Sequence, residues 1–368
     1  MSDGLSPSTP PPSVHAGLAM AAGTLALGAA GGWVATWLSL PLPWMIGAML
    51  VTTPLAALGG PLFVHPKLRT AMVTILGVML GSQFSPAILD QLDRWAAGLG
   101  VLVLYVVVSG ALAVVFLRRV CRYDPITAYF SAMPGGLSEM IIVGSAMGGD
   151  ARIISLSHAA RVLLVVMTLP FAFQFALDYD TGDRPAAGVP IAELPTTELA
   201  ILLACAVLGY ALARLMRVPA AQVVGPMVVS AAVHFAGLSQ ASPPIELVAA
   251  SQVVIGAAIG SRFAGVDLRF ILKAVAGAAG VTAVLLAMTV VFALALAAAT
   301  EAPLSSLILA YAPGGLAEMS LVALALSVDT AFVATHHIVR IFLVVVLAPA
   351  AFRLFRRAES TGAPPPES

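Results

Sequence analysis

The chain has 368 residues, of which 60% are hydrophobic and only 10% are charged, and its mean hydropathy is +0.99. A chain this apolar cannot cover a soluble globule with polar surface, so the composition excludes a soluble domain and indicates several segments buried in a lipid bilayer. Basic and acidic residues balance at a formal net charge of zero, so nothing in the composition argues for a nucleic-acid partner.

Six apolar elements follow a Ser/Pro-rich N-terminal tail, residues 1–15, which we predict to be disordered. The tail lacks the basic region that opens a signal peptide. Breakers such as Pro41, Pro61 and Pro86 separate the elements. The elements lie near 16–38, 42–60, 70–88, 95–117, 125–148 and 152–177. The sequence therefore predicts an all-α polytopic membrane protein.

The same pattern returns 179 residues later in the chain. The residues that coincide at this offset include Gly81 with Gly260, Pro134 with Pro313, Glu139 with Glu318, Asp150 with Asp329, His158 with His337, and Arg161 with Arg340. One constant offset over such a distance indicates an internal duplication. We divide the chain into a first membrane repeat, 16–178, a polar linker, 179–194, a second membrane repeat, 195–357, and a C-terminal tail, 358–368, which we predict to be disordered.

Basic residues between the elements alternate between the two repeats. Arg118, Arg119 and Arg122 follow the fourth element of the first repeat, whereas the matching place of the second carries Glu301. Three arginines close the second repeat, and three aspartates close the first. By the positive-inside rule, the repeats have opposite orientations in the membrane. We expect a multi-pass protein of the bacterial inner membrane with both termini in the cytoplasm.

Inversion requires an odd number of crossings per repeat, so one of the six elements must enter and leave the membrane on the same side. The fifth element is interrupted by Pro134-Gly135-Gly136 in the first repeat and by Pro313-Gly314-Gly315 in the second. Such a turn is tolerated in a membrane only where protein or water satisfies its backbone. We therefore predict ten transmembrane helices and two re-entrant hairpins.

Charged residues cluster at the predicted hairpin tips. At about 1.5 Å per residue, Arg161 reaches the depth of the first tip, and Arg340 reaches the second from the opposite side. An arginine at that depth needs a partner or water. The predicted roles are substrate binding by Arg161, Arg340, Gly135, Gly136, Gly314 and Gly315, coupling of a proton or cation by Glu139, Glu318, His158 and His337, and helix capping by Asp150 and Asp329.

Simpler roles stay open for several of these residues. Glu139 and Glu318 are placed to close capping boxes at the helices that leave the tips. His158, Arg161 and Glu139 form, in another interpretation, an ion-pair network that only holds the hairpin. The tip glycines serve positive φ angles and close packing. His336, which matches Ser157 in the first repeat, is interpreted as incidental.

The duplicated Pro-Gly-Gly-Leu-x-Glu-Met element, followed by Asp and then His-x-x-Arg, resembles the AbrB membrane-protein family. The resemblance covers nearly the whole chain. It implies two such domains and a role that is labelled either as a regulator of gene expression or as an ammonia monooxygenase. An ammonia monooxygenase would require a metal site. The six histidines are mostly scattered and Cys121 and Cys205 lie far apart, so we predict no metal and no cofactor.

The predicted function is that of a secondary transporter for a small anionic organic metabolite, not that of an enzyme. Inverted repeats with interrupted helices around a central site are the recurring plan of such transporters. A membrane-embedded regulator or sensor that uses the same pocket is the alternative, and a membrane monooxygenase is a third.

The charge pattern makes a topology prediction. Cysteines introduced near Arg122 and Arg357 should be labelled from the cytoplasm, and those near Asp183 and Glu301 from the periplasm, because basic loops stay on the cytoplasmic side. The measurement is single-cysteine labelling in a background that lacks Cys121 and Cys205. Labelling of the Arg122 and Glu301 positions from the same side would contradict inverted repeats.

Overall fold

The computed structural model describes residues 14–86, 88, 92–176 and 188–361. Regular structure in these ranges is helical, without a β-strand. Most of the predicted N-terminal tail, 1–15, most of the C-terminal tail, 358–368, and the first part of the linker, 179–194, lie outside the described residues. Helix α1 already begins at Val14, and the last helix ends at Thr361.

Seven helices form the first half of the chain and seven form the second. The first half contains α1 (Val14–Trp37), α2 (Pro43–Ala57), α3 (Pro66–Gly81), α4 (Leu92–Arg119), α5 (Pro125–Ala132), α6 (Leu137–Ala146) and α7 (Ala151–Ala176). The second contains α8 (Thr196–Leu215), α9 (Ala221–Phe235), α10 (Ile245–Gly260), α11 (Leu268–Ala299), α12 (Leu304–Tyr311), α13 (Leu316–Ala325) and α14 (Thr330–Thr361). Each predicted element corresponds to one helix, except the fifth, which is a pair of short helices.

Local sequence explains where several helices begin. Helices α2, α3 and α5 each carry proline in the first turn, where the missing N–H costs no hydrogen bond. Asp124 caps α5 by accepting from the backbone N–H groups of Ile126 and Thr127, at 3.0 and 2.9 Å. The short helix α5 therefore has a fixed starting point.

The duplication extends to the helix boundaries, with a shift of one residue in its first part. Helices α3, α5 and α6 match α10, α12 and α13 at an offset of 179. Helix α2 matches α9 at 178, and the left-handed residues Ser39 and Leu42 recur as Arg217 and Ala220 at the same offset. The connection between α9 and α10 is therefore one residue longer than that between α2 and α3.

The helices fall into two groups. Helices α1–α3 pack with α8–α10, and helices α4–α7 pack with α11–α14. The groups meet along a seam where α7 contacts α2 and α10, and where α13 and α14 contact α3. Each group therefore mixes helices from both halves of the chain.

Glycines allow close helix crossings in the first group. A Cβ on Gly77 of α3 would lie 2.6 Å from the carbonyl oxygen of Val223 in α9, and one on Gly256 of α10 would lie 2.5 Å from that of Met45 in α2. One turn further along, Gly81 packs on Met227, and Gly260 on Thr52. Side-chain-free crossings of this kind are typical of membrane helices, which gain little from burying apolar surface against one another.

Two pairs of equivalent helices, α4 with α11 and α3 with α10, run in opposite directions where they pack together. Along α4 and α11, the Tyr105 hydroxyl lies 3.0 Å from that of Thr289, whereas Cys121, after the end of α4, lies beside Gly277 near the start of α11. Similarly, Ser82 at the end of α3 is within 2.9 Å of Ser242, just before α10 begins. Arg122 and Glu301, which follow α4 and α11, consequently lie at opposite ends of the bundle.

Among the residues that the structure describes, seven helices are long and apolar enough to cross a membrane by length and composition, namely the spans in α1, α4, α7, α8, α10, α11 and α14. The remaining elements among the ten predicted spans are α2, α3 and α9, which have only 15 or 16 residues. A membrane-crossing helix usually needs about 20 residues. The membrane character of the helices is confirmed, and the number found by this criterion is seven.

The glycine crossings generate a stability prediction. Gly256→Val should lower the thermal unfolding temperature, because a side chain there meets the Met45 carbonyl and overpacking costs about 1–3 kcal/mol. Gly100→Val is the matched control, since a Cβ on Gly100 of α4 meets no atom within 4 Å. Equal melting temperatures for the two variants would contradict the close crossing.

Candidate functional site

Each half of the chain contains a helical hairpin built from two short helices. In the first, α5 and α6 are joined by Met133-Pro134-Gly135-Gly136, and Gly144 of α6 packs back on Phe130 of α5. The backbone N–H of Asp150 donates to the Thr127 hydroxyl at 2.8 Å, so α7 starts beside the beginning of α5. Helices α12 and α13 repeat this arrangement in the second half.

The glycines at the tips are required by space and not by a left-handed backbone. Gly136 has φ −62° and Gly315 has φ −79°, and neither Gly135 nor Gly314 has a positive φ, so the expectation of positive φ angles was wrong. A Cβ on Gly136 would overlap the carboxylate of Glu139, and one on Gly315 would overlap that of Glu318. A Cβ on Gly135 would lie 2.8 Å from Val344 of α14, which places the first tip against the second half.

A histidine and an arginine clamp the first hairpin. His158 of α7 lies with Nε2 2.8 Å from the Phe130 carbonyl oxygen and with Nδ1 2.8 Å from Arg161 Nη2. Arg161 Nη1 faces the carbonyl oxygens of Ser131, Ala132 and Met133 at 3.3–3.5 Å. These are carbonyls at the C-terminal end of α5, which lack helical partners and attract a cation.

The second clamp uses the same residue types, with shorter distances between the arginine and the tip carbonyls. His337 Nε2 lies 2.9 Å from the Leu309 carbonyl oxygen, and its Nδ1 lies 2.9 Å from Arg340 Nη2. Arg340 donates to the carbonyl oxygens of Ala312 and Gly314 at 2.6 and 2.7 Å. The guanidinium of Arg340 therefore holds its hairpin tip more tightly than Arg161 holds the first.

Both guanidinium groups are buried without a carboxylate partner. Arg161 is 3% exposed and Arg340 is 2% exposed, and within the described ranges their hydrogen bonds go to carbonyl oxygens and histidine only. The Nε atom of each has no hydrogen-bond partner there. The two positive charges also act on each other. Buried like charges with unsatisfied donors are costly, so the arrangement favours an anion.

The glutamates occupy a different position from the one that an ion-pair network requires. Glu139 and Glu318 lie in the first turns of α6 and α13, and their carboxylates fold over Gly136 and Gly315 at the helix starts. A carboxylate there is favoured by the helix dipole, as in a capping box. The interpretation that Arg161 pairs with Glu139 was wrong, because within the described residues Arg161 bonds with His158 and with carbonyls at the end of α5 and not with Glu139.

The two aspartates cap the long helices that follow the hairpins. Asp150 Oδ1 accepts from the backbone N–H groups of Arg152 and Ile153 at 2.8 and 3.1 Å. Asp329 Oδ1 accepts from that of Phe332 at 2.9 Å. These contacts give both residues the N-cap role and fix the depth at which α7 and α14 carry their His-x-x-Arg sequences.

Three polar residues beneath the tips were not predicted from the sequence as part of the site. Tyr105 of α4 bonds with Thr289 of α11, and Thr289 also donates to the Tyr311 carbonyl at 3.3 Å. The Tyr311 hydroxyl donates to the Gly98 carbonyl at 2.6 Å. Tyr105 and Thr289 have no polar counterparts at the duplicated positions, so a search for repeated residues could not find them. Their only signal was a polar side chain inside a long apolar run.

His336 and Arg262 also lie near the clamps. His336 is fully buried, its Nδ1 lies 2.9 Å from the Phe332 carbonyl oxygen, and its Nε2 has no partner within the described residues. Arg262 follows α10, and its charge acts on His158 and on Glu318. A third arginine therefore contributes positive potential to the centre.

The two hairpins differ in exposure. Every side chain of α13 from Leu316 to Ala323 is buried, including Glu318 at 7%. In α6, Glu139 is half-buried and Ile142 is exposed. The second hairpin is therefore more fully enclosed by protein than the first.

No group of three or more metal-ligating side chains occurs in the described part of the chain. An apolar groove between α1 and α2 is lined by Leu27, Gly31, Gly47, Leu50 and neighbouring residues. None of the predicted site residues contributes to this groove. The polar centre of the protein is the pair of clamped hairpin tips.

Duplicated hairpins and membrane-length helices define the class of this chain as an all-helical membrane protein with two homologous halves. The chain belongs to the AbrB family, whose model, described as "Transition state regulatory protein AbrB", matches residues 44–356. It is 31% identical over 365 residues to the "Uncharacterized protein YhjN" of Bacillus subtilis (strain 168), an alignment that covers 90% of this chain and 91% of the relative. The family resemblance predicted from the sequence is confirmed.

The clamp geometry predicts which side chains depend on one another. In a double-mutant cycle, Arg161→Gln and His158→Gln should show an interaction energy of about 0.5–3 kcal/mol, because the two side chains share a hydrogen bond. The cycle of Arg161→Gln with Glu139→Gln is the control and should show additive effects. The measurement is the free energy of unfolding of the purified protein. A larger interaction with Glu139 than with His158 would contradict the geometry.

Proposed function

We propose that the protein is a secondary transporter of the bacterial inner membrane for a small anionic organic metabolite. The observation that carries this proposal is the pair of buried guanidinium groups at the hairpin tips, which lack a carboxylate partner and retain unpartnered Nε atoms. An anionic group between them would accept from these donors and offset the repulsion of the two charges. Arg161 and Arg340 are the proposed substrate-binding residues.

The architecture that we propose is a pair of inverted repeats with ten crossings and two re-entrant hairpins. Its support is the opposite direction of the equivalent helices α4 and α11, and of α3 and α10. An even number of crossings puts both termini on the same side, and the basic loops favour the cytoplasm. The hairpins then meet from opposite faces, as in transporters whose interrupted helices surround a central site.

Other residues around the tips receive proposed roles from their contacts. Gly135, Gly136, Gly314 and Gly315 let backbone and carboxylates approach closely at the tips. Glu139 and Glu318 lie over the starts of α6 and α13, which supports capping better than the coupling of a cation. The protein is proposed to move its ligand and not to convert it.

A second candidate is a membrane-embedded regulator that binds the same anion without transporting it. The description of the matching family as a transition state regulatory protein favours this candidate. Binding is common to both functions, whereas flux belongs only to the transporter. Proteoliposomes loaded with a radiolabelled anion that the protein binds separate the two: counterflow supports transport, and binding without counterflow supports the regulator.

The substrate role of Arg161 gives a prediction. In a thermal-shift series with acetate, lactate, succinate, citrate and inorganic phosphate, at least one anion should raise the unfolding temperature of the wild type, since a ligand at 100 times its Kd adds about 2.7 kcal/mol. Arg161→Gln should remain folded and lose that shift. Arg152→Gln, at an exposed position of the same helix, should keep it. An unchanged shift in Arg161→Gln would contradict the assignment.

A further inference from the structure

Each clamp fixes one protonation state of its histidine. A carbonyl oxygen only accepts hydrogen bonds and a guanidinium only donates them. His158 lies between the Phe130 carbonyl at Nε2 and Arg161 at Nδ1, so Nε2 must carry the proton and Nδ1 must accept. His337 lies in the same way between Leu309 and Arg340. Both imidazoles are therefore held neutral, with the Nδ1 lone pair occupied by an arginine.

We propose that a proton and the arginine compete for this lone pair, so that protonation of Nδ1 in His158 or His337 releases Arg161 or Arg340 to bind the anion. The step is a proton transfer: an O–H bond of a hydronium ion breaks, an N–H bond forms at Nδ1, a water molecule is left, and the hydrogen bond from Arg Nη2 to Nδ1 is lost. After it, the imidazolium and the guanidinium are both donors without a shared acceptor. This inference rests on the proposed anion-binding function and names its coupling ion as the proton.

The surroundings make the proton and the anion depend on each other. The charged groups that act on His158 are Arg161 of its own helix and Arg262 from the turn after α10. The charged group that acts on His337 is Arg340, and the neighbouring His336 is a titratable side chain beside it. Glu139 and Glu318 lie instead over the starts of α6 and α13. An imidazolium among these cations is repelled until an anion arrives, and the anion gains Nη2 as a donor beside the unpartnered Nε only when the proton has arrived.

Such mutual dependence is positive coupling between two ligands, and it is reciprocal. Each bound anion should be accompanied by about one proton, so its Kd should fall about tenfold for each unit by which the pH decreases. Movement of both ligands together amounts to proton–anion symport. If the clamp only holds the hairpin, the Kd of the anion should not depend on pH in this way.

The test uses the full-length protein in lipid nanodiscs, titrated with succinate, acetate and inorganic phosphate between pH 5 and 8. Calorimetry in buffers of different ionisation enthalpy reports the protons taken up per anion. Uptake of about one proton, with tighter binding at lower pH, supports the inference. Binding of an anion without proton uptake overturns it and leaves the anion site standing. Failure of all three probes to bind at every pH overturns the proposed function and the inference together.

Variants distinguish the proposed role of His158 and His337 from the general effect of replacing a histidine. His158→Asn and His337→Asn place an amide oxygen near the former Nδ1, where it accepts from arginine but does not titrate. The double variant should bind the anion at least tenfold more weakly at pH 5 and take up no proton. The control is His65→Asn, an exposed N-cap residue for which asparagine is an equally good cap. It should keep both the affinity and the uptake.

A second measurement keeps the test valid if the double variant does not fold. In wild-type protein with ¹⁵N-labelled histidine, the signals of His158 and His337 should report the neutral Nε2–H form at pH 6 without anion. Saturating succinate, or whichever probe binds, should convert at least one of them to the imidazolium. Imidazolium without the anion, or a neutral form that persists at saturation, overturns the competition.

Discussion

The structure depends on how the ends of interrupted helices are satisfied inside an apolar protein. Four short helices end or begin at the hairpin tips, and their free carbonyl and N–H groups lie too deep for bulk water. An arginine from the next long helix takes the carbonyls of α5 and α12, and a glutamate folds over the starts of α6 and α13. The Pro-Gly-Gly turn, the glutamate, and the His-x-x-Arg sequence are therefore parts of one arrangement, which explains why they are duplicated together.

Much of this arrangement could be predicted from the sequence. Hydrophobic runs and prolines placed the helices, because both signals act locally, and the repeated Pro134 and Arg161 located the tip and its partner through the fixed rise of a helix. The acceptors of Arg161 could not be predicted, since backbone carbonyls have no sequence signature. The same limit led to the incorrect pairing with Glu139, as two opposite charges at a similar depth look like partners until the geometry is known.

The second source of error was polar residues that are not duplicated between the two repeats. Tyr105 and Thr289 connect α4 with α11 under the second tip. Neither has a polar counterpart in the other repeat, so a comparison of the repeats does not identify them. The sequence predicted that the tip glycines serve both positive φ angles and close packing, and only the close packing is found. A positive φ and a crowded Cβ both select glycine, and only the backbone angles distinguish the two causes.

The glycine crossings of α3 on α9 and of α10 on α2 have a mechanical consequence. Backbone lies directly on backbone at Gly77 and Gly256, so no side chain between these helices can change rotamer to accommodate sliding. Helices α1–α3 and α8–α10 are therefore held together at these crossings by direct backbone contact. This group meets the other helices where α7 contacts α10 and α14 contacts α3. Those two helices carry both arginines, so each clamp lies on a helix that packs directly against the glycine-crossed group.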